Sequence, residues 1–290
     1  MEDQLLSLEH QALVTKLCTD LSLLLSEYNF ANLYLFRKTH EYRLIETMGS
    51  HFCIYGTSQS GHTFLMPLFH PKSWDSCIEL AGEYNVDYLF PIAETWALEA
   101  ASQGHFLSFS EDDSDYLYDA EVIRTYRGRH LDGQRNLVRG FLSSHTVDVY
   151  PLNSNTLPKA RVIIEKWSQK KPDTDRINDV DACIEGAERT AELGLDGWVY
   201  EVDGTPAGLH LGGPLTATVY MYHFSKASPE FRGLSTFMHQ DVAKRVDPKY
   251  RILNWEQDLG IEGLRHAKRS YHPQALATKG RLGVKSQNML

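Results

Sequence analysis

The stretch Asn254-Trp255-Glu256-Gln257-Asp258-Leu259-Gly260-Ile261-Glu262-Gly263-Leu264-Arg265-His266-Ala267-Lys268-Arg269-Ser270-Tyr271-His272-Pro273 decides how this chain is read. A strand end carries two carboxylates, a glycine starts a helix, and Arg265, Lys268 and Arg269 arm that helix. An α/β protein places chemistry at such a point, at the carboxyl edge of a sheet and beside a helix N-terminus. Glu256 and Asp258 have strand spacing and face the same side if the strand runs that far. Paired carboxylates hold an amine, orient a basic group, or act as a general base when a neighbour raises one pKa. Asp258, just ahead of Gly260, also suits a plain helix cap. On the helix, Leu264, Ala267 and Tyr271 form the expected buried stripe. Arg265, Lys268 and His272 share a flank, with Arg269 beside it; this is either a fork of donors for a phosphate or carboxylate, or a solvated basic face.

Working outward, residues 157–170 and 179–193 read as helices, and 198–202 with 207–211 as a hairpin around Asp203-Gly204. Residues 217–224 read as a strand, 234–246 as a helix, 251–255 as a strand and 260–271 as a helix, with a closing strand near 281–285. Meandering strands followed by helix, strand and helix define an α+β arrangement with a mixed, mostly antiparallel sheet flanked by helices. The first half repeats this order more weakly: helix 3–27, strands 31–37, 43–55 and 63–69, helix 74–84, strand 86–92 and helix 95–102. Two related units in tandem is the economical reading, 1–114 and 151–290, joined by an Arg-rich helical connector at 115–150.

The net charge of −9 over 290 residues weighs against a broad nucleic-acid surface. Its distribution is uneven. Eleven Asp or Glu and no Lys or Arg lie between Glu79 and Glu121, whereas Arg124, Arg127, Arg129, Arg135 and Arg139 then face only Asp132. Either solvated faces alternate in sign, or an acidic protein carries a local anion groove. The scattered Cys18, Cys53, Cys77 and Cys183 suit a reducing cytoplasm. No apolar run approaches the roughly 20 residues of a membrane helix, and an acidic start lacks the basic region of a secretory signal. Cytoplasmic location is the expectation.

Several blocks carry a resemblance: Asp115-Tyr116-Leu117-Tyr118, Gly128-Arg129-His130 through Arg135-Asn136, Phe224-Ser225-Lys226-Ala227, Phe231-Arg232-Gly233, and residues 256–273. Phe30-Ala31-Asn32-Leu33-Tyr34-Leu35-Phe36 looks like the family's first strand. The chain resembles, over nearly its whole length, uncharacterised bacterial proteins grouped with the soluble C-terminal domain of phosphatidylglycerol lysyltransferases, and its order is that of the GNAT-type acyltransferase fold. The resemblance implies two tandem GNAT-like (acyl-CoA N-acyltransferase) units. His130, Gln134 and Ser225 depart from the family pattern, in which basic residues stand at the first two positions and an acid at the third.

In the GNAT-type fold, the loop holding Arg232 and Gly233 offers backbone N–H groups and a helix N-terminus to the coenzyme A pyrophosphate. One Gly and one Arg make it poorer than the acetyl-CoA version, which fits relatives that use an aminoacyl-tRNA donor. Arg127, Arg129, Arg135 and Asn136 suit phosphates of a tRNA acceptor end or lipid head group, and the resemblance adds Lys226. Tyr116, Tyr118 and Tyr126 either stack on a base or pack the core.

Gly56-Thr57-Ser58-Gln59-Ser60-Gly61 misses the nucleophile elbow, no nucleotide phosphate loop is present, and the thirteen histidines form no ligand set for a metal. The expectation is a transferase moving an activated acyl or aminoacyl group to an amine or hydroxyl, with aminoacyl-tRNA or acyl-CoA as donor and no permanently bound cofactor. Glu256 or Asp258 would orient the nucleophile, and Arg232, Arg265 and Lys268 would hold donor phosphates. A possible acceptor is an anionic lipid head group. The alternative, motivated by His130, Gln134 and Ser225, is a non-catalytic binding or regulatory module that retains the fold.

Overall fold

The computed structural model describes residues 4–47, 51–169 and 179–284, which form two compact units. The first comprises residues 1–115, 257–262 and 276–290; the second comprises 116–256 and 263–275. The segment between the helices expected at 157–170 and 179–193 lies outside the described residues.

In the first unit, β1 (Gln4–Leu5) and α1 (Gln11–Leu21) precede α2 (Phe30–Phe36). The helix expected over 3–27 therefore shrinks to α1, and the strand expected at 31–37 is α2 instead. Six of the seven α2 residues are buried, and a run so nearly apolar, broken only by Asn32, has no periodicity to separate helix from strand. The cap decides it locally: Asn29 accepts the N–H of Asn32 at 3.0 Å. Next come β2 (Arg43–Glu46), β3 (Phe52–Thr57), β4 (Thr63–Pro67), α3 (Trp74–Glu83), β5 (Tyr88–Ala93), α4 (Glu94–Ser102) and β6 (Leu107–Phe109).

The residues expected as a connector contain strands and helices of the second unit. They are β7 (Asp115–Asp119), α5 (Ala120–Thr125), α6 (Asp132–Ser144) and β8 (Val147–Pro151). After α7 (Leu157–Gln169) and α8 (Val180–Glu188) follow the meander β9 (Asp196–Val202), β10 (Thr205–Pro214) and β11 (Val219–Ala227). Asp203 and Gly204 both take positive φ, 51° and 77°, as a type I′ turn requires. The chain then forms α9 (Leu234–Arg245), β12 (Ile252–Asn254), α10 (Glu262–Arg269), β13 (Ala275–Ala277) and β14 (Lys279–Gly283).

Among the described residues each sheet has seven strands, ordered β1-β2-β3-β4-β5-β14-β6 and β13-β7-β12-β11-β10-β9-β8. Antiparallel pairing dominates, and among the described pairings β4 with β5 and β11 with β12 are parallel. The closing strand expected for the second unit is β14, and it joins the first sheet between β5 and β6. Its anchor is Lys279, fully buried, whose ammonium lies 2.6 Å from Asp115 Oδ1 and 2.8 Å from Glu27 Oε1. Asp115 also accepts the N–H of Ser26 at 2.6 Å, so one network ties three distant segments of the first unit. Trp74, Ile54, Leu65, Leu89 and Ile92 form this unit's core, and Val199, Leu209, Leu211, Met221, Met238 and Leu253 that of the second.

Candidate functional site

The second unit concentrates its polar interior where β11 and β12 part. Their parallel pairing covers only Val219↔Ile252, Tyr220↔Leu253 and Met221↔Asn254, after which β11 runs on alone on that side. The β10–β11 register steps from Leu211↔Phe224 to Gly212↔Tyr222, which makes His223 the extra residue of a bulge. A bulge leaves one residue out of the ladder and re-aims its side chain, a device common beside active sites. Gly212 permits this one: a Cβ there would fall 2.5 Å from the Met221 carbonyl oxygen.

Beyond Asn254 the strand ends, and Glu256 turns into the left-handed region at φ 54°. Its N–H donates to Asn254 Oδ1 at 2.7 Å. Its carbonyl accepts from the Tyr116 N–H and from the Lys268 ammonium, both at 3.1 Å. The carboxylate Oε1 lies 3.1 Å from His223 Nδ1; the His223 side chain is fully enclosed, whereas that of Glu256 is 15% exposed. Nε2 of His223 and Oγ of Ser225 are buried without a hydrogen-bond partner among the described residues.

Behind this pair, Tyr222 stacks on Trp255 at 5.4 Å, and Trp255 meets His239 at 4.3 Å. Burial, helped by the Lys268 charge, pushes His239 down to about 3, and burial, helped by the neighbouring His239 and His223, puts His210 well below the imidazole range. Both are therefore neutral at physiological pH.

The residues singled out from sequence do not gather in one place. Asp258, in the first unit, is buried and accepts the N–H of Gly260 at 2.9 Å, an Asx turn that lies ahead of α10 and does not cap it, because that helix starts at Glu262. Lys268 donates to the Trp255 carbonyl at 2.6 Å as well as to Glu256, so it holds the strand end. Arg265 sits half-buried on α10 and Arg269 is exposed. The expected stripe of α10 is corrected: no residue within the helix is buried, Ala267 is exposed, and only Tyr271 beyond it packs inside. Contacts of Lys268, the Tyr118 hydroxyl on the Lys268 carbonyl and the Gln134 amide on the Ser270 carbonyl seat this short helix instead.

Lys226 is buried, with its ammonium 2.5 Å from Asp179 and 3.5 Å from the centre of the Trp167 ring. Arg135 spends its guanidinium on the carbonyls of Tyr126 and Gly128 and on Asp132, fixing the turn before α6. Tyr116, Tyr118 and Tyr126 are fully packed in the interior. Arg129 is exposed. Arg232 and Asn136 line one cavity of about 640 Å³ with Glu230 and His145. Gly233, beside it, starts α9 at φ 97° with room for nothing larger, because a Cβ would lie 2.7 Å from the Leu137 carbonyl.

His130 packs edge-on against His272 at 4.8 Å, so two of the three departures from the family pattern, His130 and Gln134, serve to seat the end of α10. In sequence, His223 and His239 are two of thirteen histidines that form no ligand set for a metal. The bulge that brings His223 to Glu256 depends on pairing across β10, and no local signal announces it.

Among the described residues, no group of three or more His, Cys, Asp or Glu is placed to hold a metal, and no helix is long and apolar enough to cross a membrane. No curated protein matches the chain in a sequence comparison.

Solved structures do match. A conserved protein of unknown function from Bacteroides thetaiotaomicron superposes with a TM-score of 0.84 at 20% identity, covering 98% of this chain and 100% of that one. The C-terminal domain of a putative lysylphosphatidylglycerol synthetase from Agrobacterium fabrum gives 0.63 at 14% identity, covering 95% and 93%. A tandem GNAT protein from the clavulanic acid biosynthesis pathway gives 0.53 at 12%, with 98% of each chain covered. The fold is therefore α+β, with two GNAT-like units in tandem. A family model described as phosphatidylglycerol lysyltransferase, C-terminal, matches residues 20–279, and the chain belongs to that family.

Proposed function

We propose that this protein is an acyl- or aminoacyl-transferase whose working group is Glu256. The observation that carries the reading is the His223–Glu256 pair at the bulged, parting strands β11 and β12. An acceptor amine or hydroxyl must lose a proton as it attacks an activated carbonyl, and a carboxylate in reach of solvent can orient and receive it. His223, enclosed behind Glu256, donates from Nδ1 to Oε1 and fixes the carboxylate's direction. The rest of the work is positioning and charge stabilisation. Arg232 and Asn136, at the cavity beside the first turn of α9, suit the donor's phosphates. An aminoacyl-tRNA or an acyl-CoA is the donor class, an anionic lipid head group is one acceptor, and the cytoplasm is the compartment.

The test mixes purified protein with radiolabelled aminoacyl-tRNAs or acetyl-CoA and with lipid or peptide acceptors. Transfer from one donor supports the proposal, and absence of transfer from every donor overturns it.

A second reading, a binding or regulatory module, is favoured by one observation. His130 and Gln134, which depart from the pattern of the family that the chain resembles, serve to seat the end of α10. Calorimetry separates the two: a donor that binds tightly and is recovered unchanged belongs to a module.

A further inference from the structure

We infer that Lys268 is a positioning residue that sets the direction of the Glu256 carboxylate, and is not a holder of phosphate. The inference rests on the reading of Glu256 as the working carboxylate, and it begins with backbone strain. A non-glycine residue at φ 54° is held against its own preference and persists only where its surroundings over-determine it. Three contacts do so here: Asn254 Oδ1 on the Glu256 N–H, the Tyr116 N–H on the Glu256 carbonyl, and the Lys268 ammonium on the same carbonyl. Lys268 alone spans two consecutive carbonyls, those of Trp255 at 2.6 Å and Glu256 at 3.1 Å, and so clamps the peptide whose rotation would move the carboxylate.

Attachment of α10 does not by itself require that clamp. The Tyr118 hydroxyl already donates to the Lys268 carbonyl at 2.8 Å, and the Gln134 amide donates to the Ser270 carbonyl at 2.7 Å. The ammonium is also placed 5.6 Å over the Tyr116 ring, so the clamp's direction is set by the strand that pairs with β12. Without it, the Glu256 peptide relaxes out of the left-handed region and Oε1 leaves His223 Nδ1.

The tautomer of His223 reads this directly, without any substrate. Long-range nitrogen–proton spectra of histidine-labelled protein, with His223 assigned from H223Q, are compared for wild type, K268M and K268R. In wild type the Nδ1–H form is expected to dominate, because a carboxylate oxygen of Glu256 can only accept from it. K268M is expected to fold and to lower the ratio of Nδ1–H to Nε2–H forms about tenfold, the size of one charge-assisted hydrogen bond. K268R, which keeps donors on the carbonyls, is expected to restore it. A folded K268M with the wild-type ratio overturns the inference and leaves Lys268 a structural staple. If K268M does not fold, K268Q carries the test with the same two outcomes. Because no donor enters the measurement, failure of the transferase reading leaves the spectra unchanged, and failure of the inference shows in the spectra alone.

Discussion

His223 Nδ1 stands 3.1 Å from Glu256 Oε1, joining a bulged strand residue to one just beyond the end of the site's other strand. If Glu256 orients and deprotonates the acceptor, E256Q keeps the shape and removes the base. Transfer is expected to fall about 10²–10⁴-fold, with unfolding free energy changed by no more than about 1 kcal/mol because the side chain is partly solvated. Single-turnover transfer and urea unfolding on the same preparation measure both. Unchanged transfer would remove Glu256 from the chemistry.

The Lys279–Asp115–Glu27 network is a structural counterpart in the first unit. All three side chains are buried, and each removal strands a charge. K279M is expected to destabilise by about 3–5 kcal/mol, because two carboxylates are left together in a low-dielectric interior. The triple replacement E27Q/D115N/K279M is expected to recover part of that loss. Urea unfolding of the single and triple variants decides it; a triple variant weaker than K279M would show the remaining amides to be worse than the stranded carboxylates.

The order of elements was legible because its signals are local. Asp203-Gly204 dictates a hairpin, and the helices α3, α7 and α9 show apolar periodicity with identifiable starts. What escaped depends on contacts distant in sequence. The Phe30–Phe36 helix is a nearly apolar run that its Asn29 cap and its burial resolve. β14 finds its place through Lys279, whose partners Glu27 and Asp115 are 252 and 164 residues away in sequence. At the site, Glu256 was readable as a carboxylate at a strand end. The role of Lys268 was not, because helical spacing gives a flank but not the left-handed turn that brings two carbonyls to its ammonium.

Two glycines make a contrasting pair. At Gly212 an added Cβ would lie 2.5 Å from the Met221 carbonyl oxygen and 2.7 Å from the Tyr220 ring. G212A is therefore expected to push β10 from β11, costing about 1–3 kcal/mol and reducing transfer by displacing the His223 bulge. Gly82 lies inside α3 with nothing within 4 Å of the same position. G82A is expected to stabilise by about 0.5–1 kcal/mol through helix propensity. Paired thermal and urea unfolding checks both signs.

Two buried groups give opposite pH slopes. Burial, against the pull of Lys279, raises Glu27 from 4.5 to about 7, a direction the excess of carboxylate over ammonium in the network also favours. The folded state holds that proton between about pH 4.5 and 7 while the unfolded chain has released it, so this contribution to stability falls as pH rises through that window. His239 runs the other way. Its imidazole, pushed from 6.5 to about 3, stays neutral in the fold while the unfolded chain takes up a proton, so stability falls as pH drops from about 6.5 towards 3. E27Q is expected to flatten the loss between pH 5 and 7, and H239Q the loss between pH 6 and 4. Urea unfolding of wild type and each variant at pH 4, 5, 6 and 7.5 measures the slopes. A wild-type slope left intact in E27Q would mean that Glu27 is ionised in the fold throughout, with Lys279 outweighing its burial.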